Sequence, residues 1–537
     1  MDALSGLSGK VAHVLCLVGG RDEGIFLARV AEYLRRVHPI VLTGNIDSAV
    51  AGMRRKGWNC IPLSELLHLD HFASMSRGDA IAEAARILPV DIGTVLHMDP
   101  MLYLYVDRDV AVDYLARITI ASERYFRSQR VVAFIHYSGA GEERAMTLVA
   151  QSLGIPAYSL TQCVGNRELI DNCGLRPAGV GEQFTWKGFN QEWSRWRRRR
   201  IKKHHIERAK SYVASYVEFH KSRKRTKSPT MHHDDKSDSG LASTVFPPPR
   251  GDRVKYIDHN RLLAQWQEDT NRAGVCWQKH KDSFVYDSIP DRDFIYFPLC
   301  LPFDMPHRSW NPMNHYYDHH SRIIFDSLPY GCDLVIKEHP YSSIDISQRF
   351  LSLRELQRIG IKVVHPETHG LELIRRSALV VSIGETSGWE AIMLRRPLVI
   401  FDARPFYAAY PLAKSVFSAN ELSSVIRAAM ATNVSATAHL KTWCAFLLAA
   451  LDSGRPGNVW AYKANLWSDR DSTNRNMENV GEMLIERLGL KWRARMIRLL
   501  RAVAAKYLIR RLWTLIVNIG RKGSCFISSV RRGNSER

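Results

Sequence analysis

The chain lacks any Cys-x-x-Cys spacing. Its nine cysteines (Cys16, Cys60, Cys163, Cys173, Cys276, Cys300, Cys332, Cys444, Cys525) are scattered over 537 residues. Neither a disulfide framework nor a structural zinc site is signalled, and a reducing compartment fits best. Long hydrophobic runs are missing too. The most apolar late stretch, residues 512–520, holds nine uncharged residues, against the ~20 that a membrane-spanning helix needs. Residues 1–9 carry Asp2 and no basic run ahead of the apolar residues 11–18, so no export signal is expected. No glycine loop is followed by the lysine of a Walker loop. His315, Asp318, His319 and His320 have no metal-site spacing, so no metal is expected.

Acids are the scarce charge. There are 75 Lys and Arg against 54 Asp and Glu, a formal net charge of +21. Residues 195–227 hold 14 basic and 2 acidic residues, and residues 491–537 hold 13 and 1. Each segment therefore carries +12, and the other 457 residues carry −3. A near-neutral body with two basic appendages is expected. With 45% hydrophobic and 24% charged residues, that body is globular and long enough to bury large cores.

Within the body, apolar runs of strand length alternate with helical periodicity. Residues 11–18 (VAHVLCLV) end in Gly19-Gly20 and read as a buried strand entering a turn, with a helix at 24–37 and a strand at 40–43. The pattern returns at 131–137 (VVAFIHY), followed by a helix at 142–153 and a strand from Ile155-Pro156. A second series begins near Asp293, with strands at 294–299, 334–337, 362–364, 379–382 and 398–401 and helices at 315–328, 346–358 and 387–394. Such alternation predicts an α/β fold of two parallel sheets flanked by helices, with a ligand cleft at the C-terminal strand ends. Residues 186–219 read as one long basic helix, whose Trp186, Trp193 and Trp196 suit an interfacial anchor or a core. Residues 221–251, rich in Lys, Ser, His, Asp and Pro, read as a linker.

Two stretches of the second series carry chemistry. At residues 382–390 a strand ends at Ser382, a loop holds Gly384, Thr386, Ser387 and Gly388, and a helix follows at once. Backbone N–H groups and the positive dipole end at a helix start receive phosphate, and the two hydroxyls add donors. A plain Ser N-cap in a glycine turn is the bland alternative. The second stretch, Lys337-Glu338-His339-Pro340, sets an imidazole directly after a buried strand, with proline fixing the backbone. A capping histidine is its alternative, and Lys337 either neutralises a phosphate or turns to another partner.

Taken in order, KEHP at 337–340, SIGETSGWEA at 382–391 and RPLVIFDARPFY at 396–407 resemble the capsule-polysaccharide glycosyltransferases, including the Kdo transferases. They are more distantly similar to the bacterial sialyltransferases. The resemblance spans residues 294–410, with a weaker stretch at 131–160. It implies a GT-B-like fold of two facing Rossmann-like domains. The expected division is an acceptor domain at 1–185, a basic helix and linker at 186–250, a nucleotide-sugar domain at 251–490 and a basic helical tail at 491–537. The resemblance implies that His339, with Pro340, contacts the nucleotide phosphate or base. It implies that Thr386 and Ser387 grip the phosphate beside Ser382 and Gly388. A carboxylate holds the ribose in relatives; Glu367 is favoured for that role here, with Glu390 as its rival. Inverting relatives carry an acidic general base on the first domain, and Asp22 with Glu23, in Arg21-Asp22-Glu23-Gly24, matches those letters. Glu142 and Glu143 compete for that role, and His136 either touches substrate or is a satisfied core histidine. No cofactor is implied.

The expected activity is transfer of a sugar from a nucleotide-activated donor to a surface polysaccharide or glycolipid. CMP-Kdo or a related acid is the preferred donor, and a UDP-sugar the other option. Because such acceptors are lipid-linked, residues 195–227 and 491–537 are expected to meet an anionic membrane surface. That places the protein in the cytoplasm, peripheral on the inner face of the cell membrane. The alternatives are a nucleotide-sugar epimerase or hydrolase on the same fold, and a non-enzymatic protein binding nucleic acid or membrane through its basic segments. Nucleic acid is the less expected partner, since no known nucleic-acid module is visible.

Overall fold

The computed structural model describes residues 12–18, 21–35, 38–44, 47–55, 57–97, 99–136, 141–164, 172–177, 187–222, 257, 259–299, 317–340, 346–401, 405–432, 437–453, 455–456, 478, 481–482 and 484–485. The strands are β1 (His13–Val18), β2 (Ile40–Gly44), β3 (Cys60–Pro62), β4 (Val131–His136), β5 (Ala157–Val164), β6 (Asn172–Pro177), β7 (Phe294–Pro298), β8 (Asp333–Lys337), β9 (Lys362–Val364), β10 (Leu379–Ser382), β11 (Leu398–Phe401), β12 (Ala413–Val416) and β13 (Arg455–Pro456). The helices used below are α1 (Arg21–Arg35), α2 (Asp47–Arg55), α3 (Arg108–Ser128), α4 (Gly141–Ser152), α5 (Lys187–Trp196), α6 (Lys203–Ser222), α7 (His259–His280), α8 (Tyr317–Asp326), α9 (Ile346–Arg358), α10 (Gly370–Arg376), α11 (Thr386–Met393), α12 (Ala419–Met430) and α13 (Thr437–Ser453).

The first sheet has the order β13-β6-β5-β4-β1-β2-β3. β3, β2, β1, β4 and β5 are parallel, while β6 runs antiparallel to β5 and β13 antiparallel to β6. Successive strand residues point to opposite faces. Leu15, Leu17 and Phe134 enter one core with α3 and α4, and Val14, Cys16, Ala133 and Ile135 enter another with α1 and α2. Covering both faces is why β1 reads as an almost unbroken apolar run rather than an alternating one.

The second sheet, β12-β11-β10-β7-β8-β9, is parallel throughout. In chain order it is a doubly wound, Rossmann-like sheet: three strands step one way from β7, then the chain crosses back to β10 and steps the other way. The chain thus holds two Rossmann-like units in series and is GT-B-like.

Three segments depart from the expected division. Residues 186–219, expected as one helix, form α5 and α6, separated at 197–202. Four consecutive arginines, Arg197 to Arg200, fill that break, and like charges at helical spacings repel. The inner faces of both helices belong to the second unit's core. Phe189, Trp193, Trp196, Tyr212 and Tyr216 are buried with β7–β12, and Trp193 meets Phe446 of α13 edge-on at 5.1 Å. The tryptophans are core residues, and residues 187–222 are an integral layer rather than a linker. Of the linker expected at 221–251, all from 223 on lies outside the described residues, as does the tail at 491–537.

The helix α7 spans the two units. Leu262, near its start, packs in the first unit's core, and Asp269 hydrogen-bonds Tyr105 there. Near its end, Trp277 Nε1 and Gln278 Nε2 donate to the Pro340 carbonyl of the second unit at 3.2 and 2.6 Å. After α13 the chain returns. β13 pairs with β6, Leu484 and Ile485 join the core of α1 and α2, and Tyr33 donates to Glu482 Oε1 at 3.2 Å. The first turns of α7, β13 and residues 484–485 therefore belong to the first unit, although they fall within 251–490. Among the described residues, no helix is long and apolar enough to cross a membrane.

Trp196→Ala is expected to destabilise the protein by about 3–5 kcal/mol, the cost of a large vacated core site, measured by denaturant unfolding. A loss below half a kilocalorie would place that indole outside the core.

Candidate functional site

In doubly wound sheets, helices splay apart where strand order reverses and leave a crevice at the C-terminal strand ends. In the second sheet this is the β7/β10 boundary. β10 ends at Ser382, and Gly384 turns the chain at φ 110°, a left-handed value strained for any side chain. α11 begins two residues on, at Thr386. Its N-cap residue is Glu385, but that carboxylate reaches backward. Oε2 accepts from Ser382 Oγ at 2.6 Å and from the Ile383 N–H at 2.8 Å, and no side chain caps the helix. The Tyr407 hydroxyl donates to the Glu385 carbonyl at 2.7 Å and lies 2.9 Å from Ser382 Oγ. Its ring covers Gly388 so closely that a Cβ there would lie 2.5 Å from the hydroxyl.

The result is a helix start with open donors. The N–H groups of Thr386 and Ser387 precede the first intrahelical acceptor, and Gly388 N–H bonds back to Glu385 at 3.2 Å. Ser387 Oγ and Glu385 Oε1 are buried with no hydrogen-bond partner, while Thr386 is exposed. An unsatisfied buried polar atom costs about 1–3 kcal/mol. A bound oxyanion would supply the missing acceptor for the hydroxyl.

Next to β7 on the other side, β8 ends at Lys337. Glu338 is fully buried and takes a charge-assisted bond from Arg349 Nε of α9, which also holds Asp318 of α8 at 2.8 Å. Its second oxygen accepts the His339 N–H at 3.0 Å, fixing the backbone where the chain leaves the sheet. Lys337 Nζ is buried and donates to the carbonyls of Pro366 and Glu338 at 3.2 and 3.4 Å. Burial, reinforced by Lys337, lowers the His339 pKa to about 3. The imidazole is therefore neutral near pH 7, with one N–H donor and one acceptor nitrogen.

The two candidate ribose carboxylates fare differently. Glu390, one turn along α11, accepts from the Tyr216 hydroxyl of α6 at 2.8 Å. Burial raises its pKa, while Tyr216 and Lys337 pull it down. Glu367 follows β9 at the far edge of the sheet, three ladders from β10, and its Oε1 takes Lys281 Nζ at 2.7 Å. One loop and helix thus gather Ser382, Thr386, Ser387, Gly388 and Glu390. Lys337 acts electrostatically on both His339 and Glu390, and Glu367, with its lysine, stands apart.

In the first sheet the reversal lies between β1 and β4, where Leu17 pairs with His136. α1 carries Asp22 and Glu23 in its first turn and α4 carries Glu142 and Glu143 in its own. All four carboxylates thus stand on helices that follow adjacent strands. Glu142, Glu143 and Arg144 are buried. Glu143 Oε2 lies 3.3 Å from His136 Nδ1, and Thr147 Oγ1 lies 3.3 Å from its Nε2. His136 is a core histidine enclosed by its own partners. Asp99 Oδ2 accepts the Gly141 N–H at 2.7 Å and pins the start of α4. Burial lowers the Arg144 pKa to about 10, with Glu143 opposing.

Sequence reasoning missed Glu385, Tyr407 and Tyr216. Glu385 stood in plain view, an acid at the N-cap before an apolar helix. Tyr407 and Tyr216 reach the site only through the fold. Among the described residues, no group of three or more His, Cys, Asp or Glu could hold a metal ion. A cavity of about 290 Å³ lined by Ser64, Glu65, His68, Asp70 and His71 lies beyond the edge strand β3, away from both reversals.

No family model matches the sequence, and no curated protein matches it. Among solved structures, the chain is similar to the UDP-GlcNAc 2-epimerase of Methanocaldococcus jannaschii in complex with UDP-GlcNAc and UDP (11% identity, 79% of this chain and 94% of that one, TM-score 0.28). It is also similar to Thermosulfurimonas dismutans KpsC, a beta Kdo 2,7 transferase (11% identity, 62% and 86%, TM-score 0.30), and to CalG4, the calicheamicin glycosyltransferase (12% identity, 86% and 98%, TM-score 0.26).

Gly388→Ala drives a methyl into the Tyr407 ring and is expected to cost about 1–3 kcal/mol, as overpacking does, in chemical unfolding; an unchanged midpoint would contradict the contact. Glu390→Gln keeps the acceptor for Tyr216 while removing the charge. A carboxyl whose folded pKa is raised binds its proton more tightly in the folded state, so its ionisation weakens the fold as pH rises above the unfolded value. The variant is therefore expected to melt at an equal or higher temperature than the parent at neutral pH, with the gap closing on acidification.

Proposed function

We propose that the protein is a glycosyltransferase that binds a nucleotide-activated sugar with its phosphate at the first turn of α11. One observation carries the reading: at the β7/β10 reversal a helix start keeps its N–H donors uncapped, beside a buried Ser387 hydroxyl with no partner. Thr386, the neutral His339 and the Lys337 charge add to the same edge. Glu390 is the ribose carboxylate in this reading, in preference to the ion-paired Glu367. The motif resemblance favours a CMP-activated acidic sugar such as CMP-Kdo, with a UDP-sugar as the other donor, and a surface polysaccharide or glycolipid as acceptor.

In the reaction, an acceptor hydroxyl attacks the anomeric carbon, the carbon–oxygen bond to the phosphate breaks, and the nucleotide leaves with the electron pair. Helix N–H groups and the dipole of α11 stabilise the charge that develops on the leaving phosphate. The hydroxyl proton passes to a carboxylate at the β1/β4 reversal. Asp22, with Glu23 beside it, is assigned that role, and Glu142 and Glu143 are its competitors one strand away.

A thermal-shift panel of CMP, CDP, UDP and GDP tests the reading, repeated with Ser387→Ala and His339→Ala. A ligand that binds only the folded state stabilises it by about 2.7 kcal/mol at a hundredfold excess over its Kd. CMP or UDP is expected to raise the melting temperature, and both variants to shrink the rise. No shift with any of the four nucleotides would contradict the proposal, and donor turnover without any acceptor would turn it toward an epimerase or hydrolase.

A further inference from the structure

We propose that the corner between α5 and α6 docks the protein on an anionic membrane surface by electrostatic contact alone, without insertion. Arg197 to Arg200 fill the turn, and Lys202, Lys203 and Lys210 follow on α6 and just before it; all seven are exposed. None of the seven has a carboxylate partner among the described residues. Only their neighbours do: Arg195 meets Glu192 at 3.3 Å and Arg208 meets Asp452 at 2.8 Å. His205, tucked under the turn with its Nδ1 accepting the Lys202 N–H at 3.1 Å, registers the same field. Burial first, then His204, Arg199, Lys202 and Arg208, lower its pKa. Unpaired charge packed this densely repels itself and is relieved by a dense array of anions.

The packing decides which array. Phe189, Trp193, Trp196, Tyr212 and Tyr216 are all turned into the second unit's core. Between residues 187 and 216 that leaves no Trp, Tyr or Phe outside to stack on bases. Both helices lie against α13, so neither can enter a groove as a free helix. What they present is an exposed cationic turn, which fits a plane of anionic headgroups. The same burial removes the apolar face that an inserting helix needs, so the contact is salt-reversible. Because Tyr216 of α6 holds Glu390 of α11, docking fixes the second unit at the surface. The inference stands apart from the transferase reading, since it needs neither nucleotide nor acceptor.

Co-sedimentation of the full chain with vesicles of phosphatidylcholine alone, or with added phosphatidylserine, tests it. Binding is expected only with phosphatidylserine, with release at high salt. Replacing Arg197, Arg198, Arg199 and Arg200 together by Ser is expected to lower vesicle partition roughly tenfold or more, since each basic residue contributes to attraction near the surface. Arg199 stacks on Trp196 at 4.8 Å, so a second variant, Lys202→Ser with Lys203→Ser and Lys210→Ser, avoids that contact and is expected to lower partition at an unchanged melting temperature. Residues 491–537 are present in every arm, so the differences report on the corner. Equal partition of parent and both variants would overturn the proposal. Binding to phosphatidylcholine alone, or binding that survives high salt, would overturn its electrostatic basis. Displacement of the parent from vesicles by a short RNA at equal charge concentration would replace the membrane with nucleic acid.

Discussion

The hydroxyl of Tyr407 rests against Gly388 and bonds the carbonyl of Glu385, and the candidate site depends on that contact. It fixes the last residue before α11 while the Glu385 carboxylate is drawn back to Ser382 and Ile383. An N-cap acid ordinarily satisfies the first N–H groups of its own helix. Here the cap is turned away and locked, so the donors of Thr386 and Ser387 stay open. Only glycine at position 388 permits the lock, because any Cβ would collide with the phenol ring. A site built this way is organised before a ligand arrives, which lowers the ordering cost of binding.

The two reversals in strand order carry opposite chemistry. In the second unit the boundary between β7 and β10 gathers N–H donors, hydroxyls and, across β7, the buried Lys337. In the first unit the boundary between β1 and β4 is flanked by helices whose first turns carry Asp22, Glu23, Glu142 and Glu143. Under the proposed transferase reading, the second reversal receives the donor phosphate and the first supplies the base for the acceptor hydroxyl. The helix α7 ties the two sides together, with Leu262 in one core and Trp277 and Gln278 on the carbonyl of Pro340.

Much of the fold was legible because both sheets are covered on both faces, so strands such as β1, β4 and β7 stand out as short apolar runs ended by turn signals. The β10–α11 loop was legible for the same reason, with its glycines and hydroxyls directly after an apolar strand. Long-range pairings were not. The ion pair of Glu367 with Lys281 joins residues 86 positions apart, and the bond of Tyr216 to Glu390 joins residues 174 apart. Neither leaves a local trace. The return of β13 to the first sheet was hidden because a two-residue strand has no period. The basic segment from 195 is the most instructive case: its charge was visible, while its tryptophans read equally as an interfacial anchor or a core, and the fold buries Trp193 and Trp196 in the second unit. Its described positive charge, Arg197 to Arg200 with Lys202, Lys203 and Lys210, is the exposed outer face of a structural layer.

The most direct test of the central claim is a crystal structure of the full chain with CMP or UDP bound. The account predicts a phosphate oxygen within hydrogen-bond distance of the backbone N–H groups of Thr386 and Ser387, with Ser387 Oγ donating to it. A nucleotide whose phosphate lies elsewhere, with those donors still open, would contradict it.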